Sequence, residues 1–261
     1  MRIVSLCPSL TELVFDLGRG ADLVGITTFC IHPKEGTLAI EKVGGTKTPK
    51  IGRIVELAPD IVLLNNEENR KEDAEQLVGV GLQCHTSMPR NAAETATMVR
   101  SIGAALERRA AAEVIAADIE ARAERIRQAA LGQPPVSWAY LIWRKPWMTV
   151  NADTFVDGLM GLAGGVNVFA DLQERYPTIE VAELAAADPD LVMLCTEPFL
   201  FTGSHLEELV NLTGLSSTRF LIADGELLSW HGSRTPRGLD YAESLVIQAR
   251  LRRASQGKGP L

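Results

Sequence analysis

The sequence predicts an α/β fold of two lobes, each a short parallel sheet flanked by helices, joined by a long connecting helix. Three observations carry this. One pattern is stated twice: Ile54-Val55-Glu56-Leu57-Ala58-Pro59-Asp60-Ile61-Val62-Leu63-Leu64 and Val181-Ala182-Glu183-Leu184-Ala185-Ala186-Ala187-Asp188-Pro189-Asp190-Leu191-Val192-Met193-Leu194. Each reads as a short helix, a Pro-Asp turn and an apolar strand. Each then runs through an amphipathic helix to a small turn, Leu77 to Leu82 in one copy and Leu209 to Leu215 in the other. Second, short apolar strands alternate with helices along the chain, the mark of a parallel sheet. Third, residues 92–131 are rich in Ala, Glu and Arg, with Ile102, Leu106, Val114, Ile115, Ile119 and Ile126 at helical spacing.

Taken in order, Ile3 to Leu6 reads as a strand. Pro8 to Glu12 opens a helix with Ser9 as N-cap and Glu12 at capping-box spacing. Leu13, Val14 and Leu17 give that helix its apolar face, and Gly18 to Gly20 end it. Leu23 to Ile26 is a second strand, running into the loop Thr27 to Pro33. The turn-rich stretch Val43 to Pro49 precedes the first copy of the repeat. One or two long helices follow over 92–131, until Gly132-Gln133-Pro134-Pro135 stops them. A strand near Val136 to Trp143 opens the second lobe, a helix over Asp240 to Arg253 closes it, and Ser255 to Leu261 reads as a frayed tail. The expected division is 1–104, 105–133 for the connecting helix, and 134–261. A continuous helical connector restricts closure, so selectivity is expected to rest on a preformed cleft between the lobes.

At 261 residues, with 46% hydrophobic and 23% charged residues, the chain is long enough for two modest cores. Its formal charge of −7 argues against a nucleic-acid surface. No apolar run reaches bilayer-spanning length, and the chain enters a strand directly at Ile3. As written it reads as cytoplasmic; it reads as periplasmic if a leader has been removed. Cys7, Cys30, Cys84 and Cys195 lack paired spacing and read as thiols, mostly in the core.

Several stretches together resemble a known family. They are Arg2 to Leu6 with Pro8 to Leu13, Leu23 to Ile26 with Pro33, Arg53 to Val62, Ala163 to Phe169, and Trp230-His231-Gly232-Ser233-Arg234-Thr235-Pro236-Arg237. In this order they resemble the helical-backbone metal receptors, the periplasmic-binding-protein-like substrate-binding proteins of metal-chelate importers, and most closely the cobalamin-binding members. The resemblance implies a non-catalytic ligand cleft and, for an exported chain, an ABC permease as partner. It also implies that carboxylates such as Glu72, Glu75, Glu207 and Glu208 dock on that permease; the plain reading is a solvated helix face. Thr46 and Asn65 stand where cobalamin binders place aromatics, whereas Trp230 keeps one.

Ligands of open α/β sheets bind outside the carboxyl ends of the strands. That rule selects the loops Cys7 to Thr11, holding Ser9; Thr27 to Pro33, holding Phe29; Asn65 to Asn69; Trp143 to Asn151; Thr196 to Gly203; and Trp230 to Arg237. Three of the four Trp, Trp143, Trp147 and Trp230, fall in these loops of an aromatic-poor chain. The run Trp143-Arg144-Lys145-Pro146-Trp147 suits a flat chelate with anionic groups; the alternative has Trp143 closing the core. His231 is expected to touch a metal or a polar edge, and Arg234, with Arg144 and Lys145, to neutralise ligand anions. Arg237 is expected to pair with Asp240 or Glu243. Cys30, His32 and His231 form a candidate direct metal site, and His85 and His205 read as surface residues. Nucleotide-loop and nucleophile-elbow motifs are missing, so no enzyme and no required cofactor is expected. The reading is a binding protein for a metal chelate of the corrinoid, haem or siderophore class, as importer receptor or cytoplasmic carrier. A metal-ion chaperone using Cys30, His32 and His231, and a two-lobed enzyme of cofactor assembly, are the alternatives.

Overall fold

The computed structural model describes residues 1–255. Among these residues the strands form two four-stranded, wholly parallel sheets, and both have the same internal order. The first contains β1 (Ile3–Ser5), β2 (Leu23–Ile26), β3 (Ile61–Asn65) and β4 (Cys84–Ser87) in the order β2-β1-β3-β4. The second contains β5 (Val136–Leu141), β6 (Gly165–Asn167), β7 (Leu191–Cys195) and β8 (Phe220–Ala223) in the order β6-β5-β7-β8. The sequence repeat is thus a repeat of topology.

The Pro-Asp turn explains how each copy registers its sheet. Asp60 Oδ2 accepts the backbone N–H of Arg2 at 2.6 Å, and Asp190 Oδ2 accepts that of Ser137 at 3.1 Å. Each carboxylate therefore pins the entry of its sheet's inner strand, β1 or β5. The residue before each turn has left-handed backbone, Ala58 at φ 44° and Asp188 at φ 45°, so both copies make the same sharp reversal from helix to strand. The strands that follow, β3 and β7, are buried on both faces, as helices on either side of a parallel sheet require.

The chain divides into two compact units. Unit 1 comprises Met1–Pro89, Ala93–Ile119 and the short segment His231–Arg234; unit 2 comprises Arg90–Ala92, Glu120–Trp230 and the chain from Thr235 onward. In unit 1, α1 (Pro8–Asp16) follows β1, and α2 (Ile51–Glu56) and α3 (Lys71–Gly79) flank β3. Its core joins Val4, Leu6, Val43, Ile54, Leu57, Val62, Leu64 and Leu77. In unit 2, α6 (Phe155–Leu162) leads to β6, α7 (Val181–Ala187) and α8 (Gly203–Thr213) flank β7, and α9 (Gly225–Ser229) leads to α10 (Thr235–Ser255). There α10 packs on α6, α9 and β5. Trp138 is the fully buried tryptophan.

Of the one or two helices expected over residues 92–131 the structure has two, α4 (Ala92–Ala105) and α5 (Arg109–Ala130), broken where Glu107 turns to φ 57°. Two expectations change. Ser9 does not cap α1: the helix starts at Pro8, whose missing N–H suits the first turn, and Cys7 is the N-cap. The last helix begins at Thr235 rather than Asp240, again with proline, Pro236, in its first turn. Ser255 ends α10, and residues 256–261 of the expected tail lie outside the described residues.

Candidate functional site

At the carboxyl edge of the unit 1 sheet the functional candidates form a buried polar brace. Asn65 ends β3 and is 1% exposed. Its Oδ1 accepts the backbone N–H of Glu67 at 2.9 Å and of Glu68 at 3.1 Å. Its Nδ2 lies 3.2 Å from His231 Nε2. Ser9 Oγ lies 3.4 Å from the same nitrogen and 3.3 Å from Cys7 Sγ. Asn69 extends the brace: Oδ1 accepts the N–H of Asn65, while Nδ2 donates to the carbonyls of Leu6 and Thr46. Arg234 closes it with a two-oxygen pair to Glu12, at 2.8 and 2.7 Å. Buried polar groups of this kind hold position because each unmet hydrogen bond is costly.

Beside the brace, Glu68 is mostly removed from water. Burial pushes its carboxyl above the ordinary range, against the opposing pull of Lys47 and the Thr46 hydroxyl. Burial also drives the Cys7 thiol up to about 12 and raises that of Cys30. Phe29, by contrast, stands out from the Thr27 to Pro33 loop at 59% exposure, near the Gly44–Gly45 turn.

The equivalent edge of unit 2 is aromatic. After β5 the chain makes a tight reversal, Ile142 N–H to Met148 O at 2.9 Å and Met148 N–H to Trp143 O at 3.1 Å, with Lys145 at φ 64° at its tip. The reversal lifts Trp143 to 42% exposure. Trp143 meets Phe199 edge-on at 5.4 Å, Phe199 lies 4.6 Å from Phe201, and Trp147 stacks on Phe201 at 6.0 Å. The His205 ring sits edge-on to both phenylalanines. Leu200, between the phenylalanines in sequence, is 67% exposed. Arg144 lies over Trp147 and pairs with both oxygens of Glu208, at 2.9 and 2.8 Å; that bond holds the Glu208 carboxyl below its ordinary range. Trp230 is buried, its Nε1–H donating to Glu197 Oε2 at 2.9 Å. Gly225 permits this loop: a Cβ there would come within 2.6 Å of the Glu197 backbone nitrogen.

The structure sorts the nominated residues by reach. Ser9, Thr46, Asn65 and His231 are brought together as a buried network in unit 1. Phe29, Trp143 and Lys145 are exposed at the carboxyl edges of their own sheets. Four expectations fail. Among the described residues no group of three His, Cys, Asp or Glu converges as a metal site, so Cys30, His32 and His231 do not form one: the Cys30 sulfur sits among Thr11 and Thr27 hydroxyls and the His231 nitrogen is held by Asn65 and Ser9. His205 belongs to the aromatic cluster, and His85 is half-buried with Nε2 2.8 Å from Ser101 Oγ. Asp240 and Glu243 pair with Arg122 and Arg125 rather than Arg237. Trp143 does not close the core; Trp138 does. Sequence reasoning missed Phe199 and Phe201, although it selected their loop, and it read His205 of α8 only as a surface residue; two phenylalanines two apart after a strand were the available signal.

Two parallel-sheet units of identical strand order, with the candidates gathered at the carboxyl edges, define the class of two-unit α/β binding proteins. The chain matches the family described as Periplasmic binding protein over residues 3–222, and it belongs to that family. Among its relatives is the vitamin B12-binding protein of Vibrio cholerae serotype O1, 23% identical over 252 residues that cover 96% of this chain and 89% of that one. The crystal structure of the periplasmic vitamin B12 binding protein BtuF of Vibrio cholerae matches with a TM-score of 0.83 at 21% identity, covering 95% of this chain and 97% of its own. The periplasmic heme-binding protein RhuT from Roseiflexus sp. RS-1, in apo form, matches with a TM-score of 0.81 at 24% identity and the same coverage. Among the described residues no helix is long and apolar enough to cross a membrane.

Proposed function

We propose that this chain is a non-catalytic substrate-binding protein for a metal chelate of the tetrapyrrole or siderophore class, delivered to an ABC-type importer. The observation that carries the reading is the exposure of large apolar side chains on carboxyl-edge loops: Phe29 in unit 1, Trp143 and Leu200 in unit 2. Aromatic rings presented at the carboxyl edge of a parallel sheet, where such folds take their ligands, suit a flat apolar partner. The names of the relatives, which bind vitamin B12 or heme, support a planar chelate as that partner. The family description favours the periplasm over the cytoplasm as the working compartment.

A permease partner fits the exposed carboxylates Glu72 and Glu75 on α3 and Glu207 on α8, whereas Glu208 is committed to Arg144. The test is intrinsic tryptophan fluorescence of the full chain against cyanocobalamin, hemin, a ferric siderophore and zinc. Saturable quenching by a chelate, weakened about tenfold or more by Trp143→Ala and by Phe29→Ala, is the expected result. Response to none of the chelates would sink the reading.

A further inference from the structure

Within unit 2 a groove opens at the amino end of the sheet, away from the aromatic loops at its carboxyl edge. From Glu120 onward α5 runs beside α10 in the same direction: Arg122 pairs with Asp240, Arg125 with Glu243, and Arg253 reaches the Pro135 carbonyl just past the end of α5. Towards the last turn of α5 the side chains facing α10 are small, and the two helices leave a groove of about 300 Å³ between them. That volume is the lower limit of small-molecule sites. Its apolar lining is Ile126, Ala129 and Ala130 of α5, Ala163 just past the end of α6, and Ile247 and Leu251 of α10. Ile247 and Leu251 stand one turn apart on one face of α10, 44% and 66% exposed.

Arg250 puts a cation in this lining. Its Nε donates to the Pro134 carbonyl at 2.8 Å and its Nη2 to the Ala163 carbonyl at 2.9 Å, at the chain segments that lead into β5 and β6. Gly164 makes room for it: the backbone there has φ 83°, and a Cβ would stand 2.5 Å from Nη2. The arginines around it each have a carboxylate, Arg122 and Arg125 on α10's acidic turn and Arg253 on Asp190. Among the described residues Arg250 has none. Burial and the nearby Arg253 charge hold its guanidinium below the ordinary range. Glu243, also in the lining, is already taken by two bonds from Arg125. A half-buried guanidinium that meets only carbonyls, set in apolar walls, is electrostatically matched by a carboxylate with a hydrocarbon tail.

We infer that this groove is a second ligand site, for an aliphatic monocarboxylate, with the carboxylate on Arg250 and the chain along Ile126, Ala129 and Ile247. The stretch of α10 from Glu243 to Arg250 covers about 10 Å, which suits a chain of medium length. The site does not depend on the chelate-binding reading above, because none of its residues belongs to the carboxyl-edge loops.

Calorimetry of the full chain with butanoate, hexanoate and octanoate tests this. Affinity should rise about tenfold for each pair of methylenes added. Arg250→Gln should weaken octanoate about tenfold or more and leave 1-octanol unchanged. Ala129→Phe, at an exposed helix position, fills the groove and should abolish binding of both. Failure of all three carboxylates to bind, or octanoate affinity indifferent to Arg250→Gln and Ala129→Phe, would overturn the assignment. So would a dimer in sedimentation that Ala129→Phe dissociates, since the groove would then belong to a second copy of the chain.

Discussion

The two sheets have the same strand order but opposite surfaces at their carboxyl edges. Unit 1 ends in a hydrogen-bonded interior: Asn65, Asn69, Ser9 and His231 satisfy one another, and Arg234 answers Glu12. Unit 2 ends in rings: Trp143, Trp147, Phe199, Phe201 and His205 pack on one another, some edge-on and Trp147 stacked on Phe201, with Trp143 reaching solvent. A duplicated topology therefore does not imply a duplicated surface. The repeat conserves what registers the sheets, Asp60 and Asp190 on the inner strands, and frees the loops beyond the strands to differ. Substitutions in the buried unit 1 brace should be felt in folding, and those in the unit 2 aromatic edge in binding.

The largest effect that would break this contrast belongs to Asn65. Asn65→Leu removes the acceptor for two backbone N–H groups and the donor to a nitrogen of His231, which is 5% exposed. Leaving buried polar groups unmet should cost about 3 kcal/mol of stability in urea denaturation. A loss as small as that of an exposed residue would mean the brace is not a brace. Arg234→Ala ranks next. It strands Glu12 in a mostly buried pair, at an expected cost of about 2 kcal/mol. In a double-mutant cycle Glu12→Gln should recover part of that loss.

The third effect has the opposite sign. Burial holds the Glu68 carboxyl above its ordinary value, so the folded state binds this proton more tightly than the unfolded chain does. Its contribution to stability is full below the unfolded value near 4.5 and is lost as pH rises through the raised folded value. Glu68→Gln, neutral at every pH, should therefore be more stable than the unsubstituted chain at pH 7. The advantage should shrink as pH falls through the raised value and vanish below the unfolded one. A gain that persists in acid would assign it to packing instead. Trp143→Ala should change stability by no more than about 0.5 kcal/mol, as at other exposed sites, and its cost should appear in chelate titrations.

The same contrast explains what the sequence made legible. Local patterns carried the fold: the repeated Pro-Asp turn, the apolar runs of β3 and β7, and the helix-period residues of α4 and α5. They failed where two local signals competed, as at α1, where Pro8 in the first turn displaced Ser9 from the cap. The unit 1 brace was illegible for a different reason. His231 meets Ser9 across 222 positions and Asn65 across 166, and no spacing rule reaches that far. Composition alone drew attention to Trp143 and Trp147, because tryptophan is scarce in this chain. It did not reach their partners Phe199 and Phe201, whose role depends on β5 and β7 lying side by side.

The smallest expected effect lies in the one ion pair of the aromatic edge's own loop. Arg144 and Glu208 are 22% and 34% exposed, so solvent screens the pair and its contribution to stability is minor. Its direction is nonetheless fixed. The Arg144 hydrogen bond lowers the Glu208 carboxyl, so whatever the pair contributes is present above the ordinary glutamate value and lost as pH falls through the lowered one. Arg144→Gln should leave the denaturation midpoint at pH 7 almost unchanged and move the Glu208 titration, followed by carboxyl NMR, upward to the ordinary range. A large midpoint loss would make unit 2's edge a brace like unit 1's, and the contrast between them would fall. Because Arg144 also lies over Trp147, the substitution should loosen the Trp143–Met148 reversal and weaken chelate quenching without unfolding the unit, the behaviour expected of an edge built to meet a ligand.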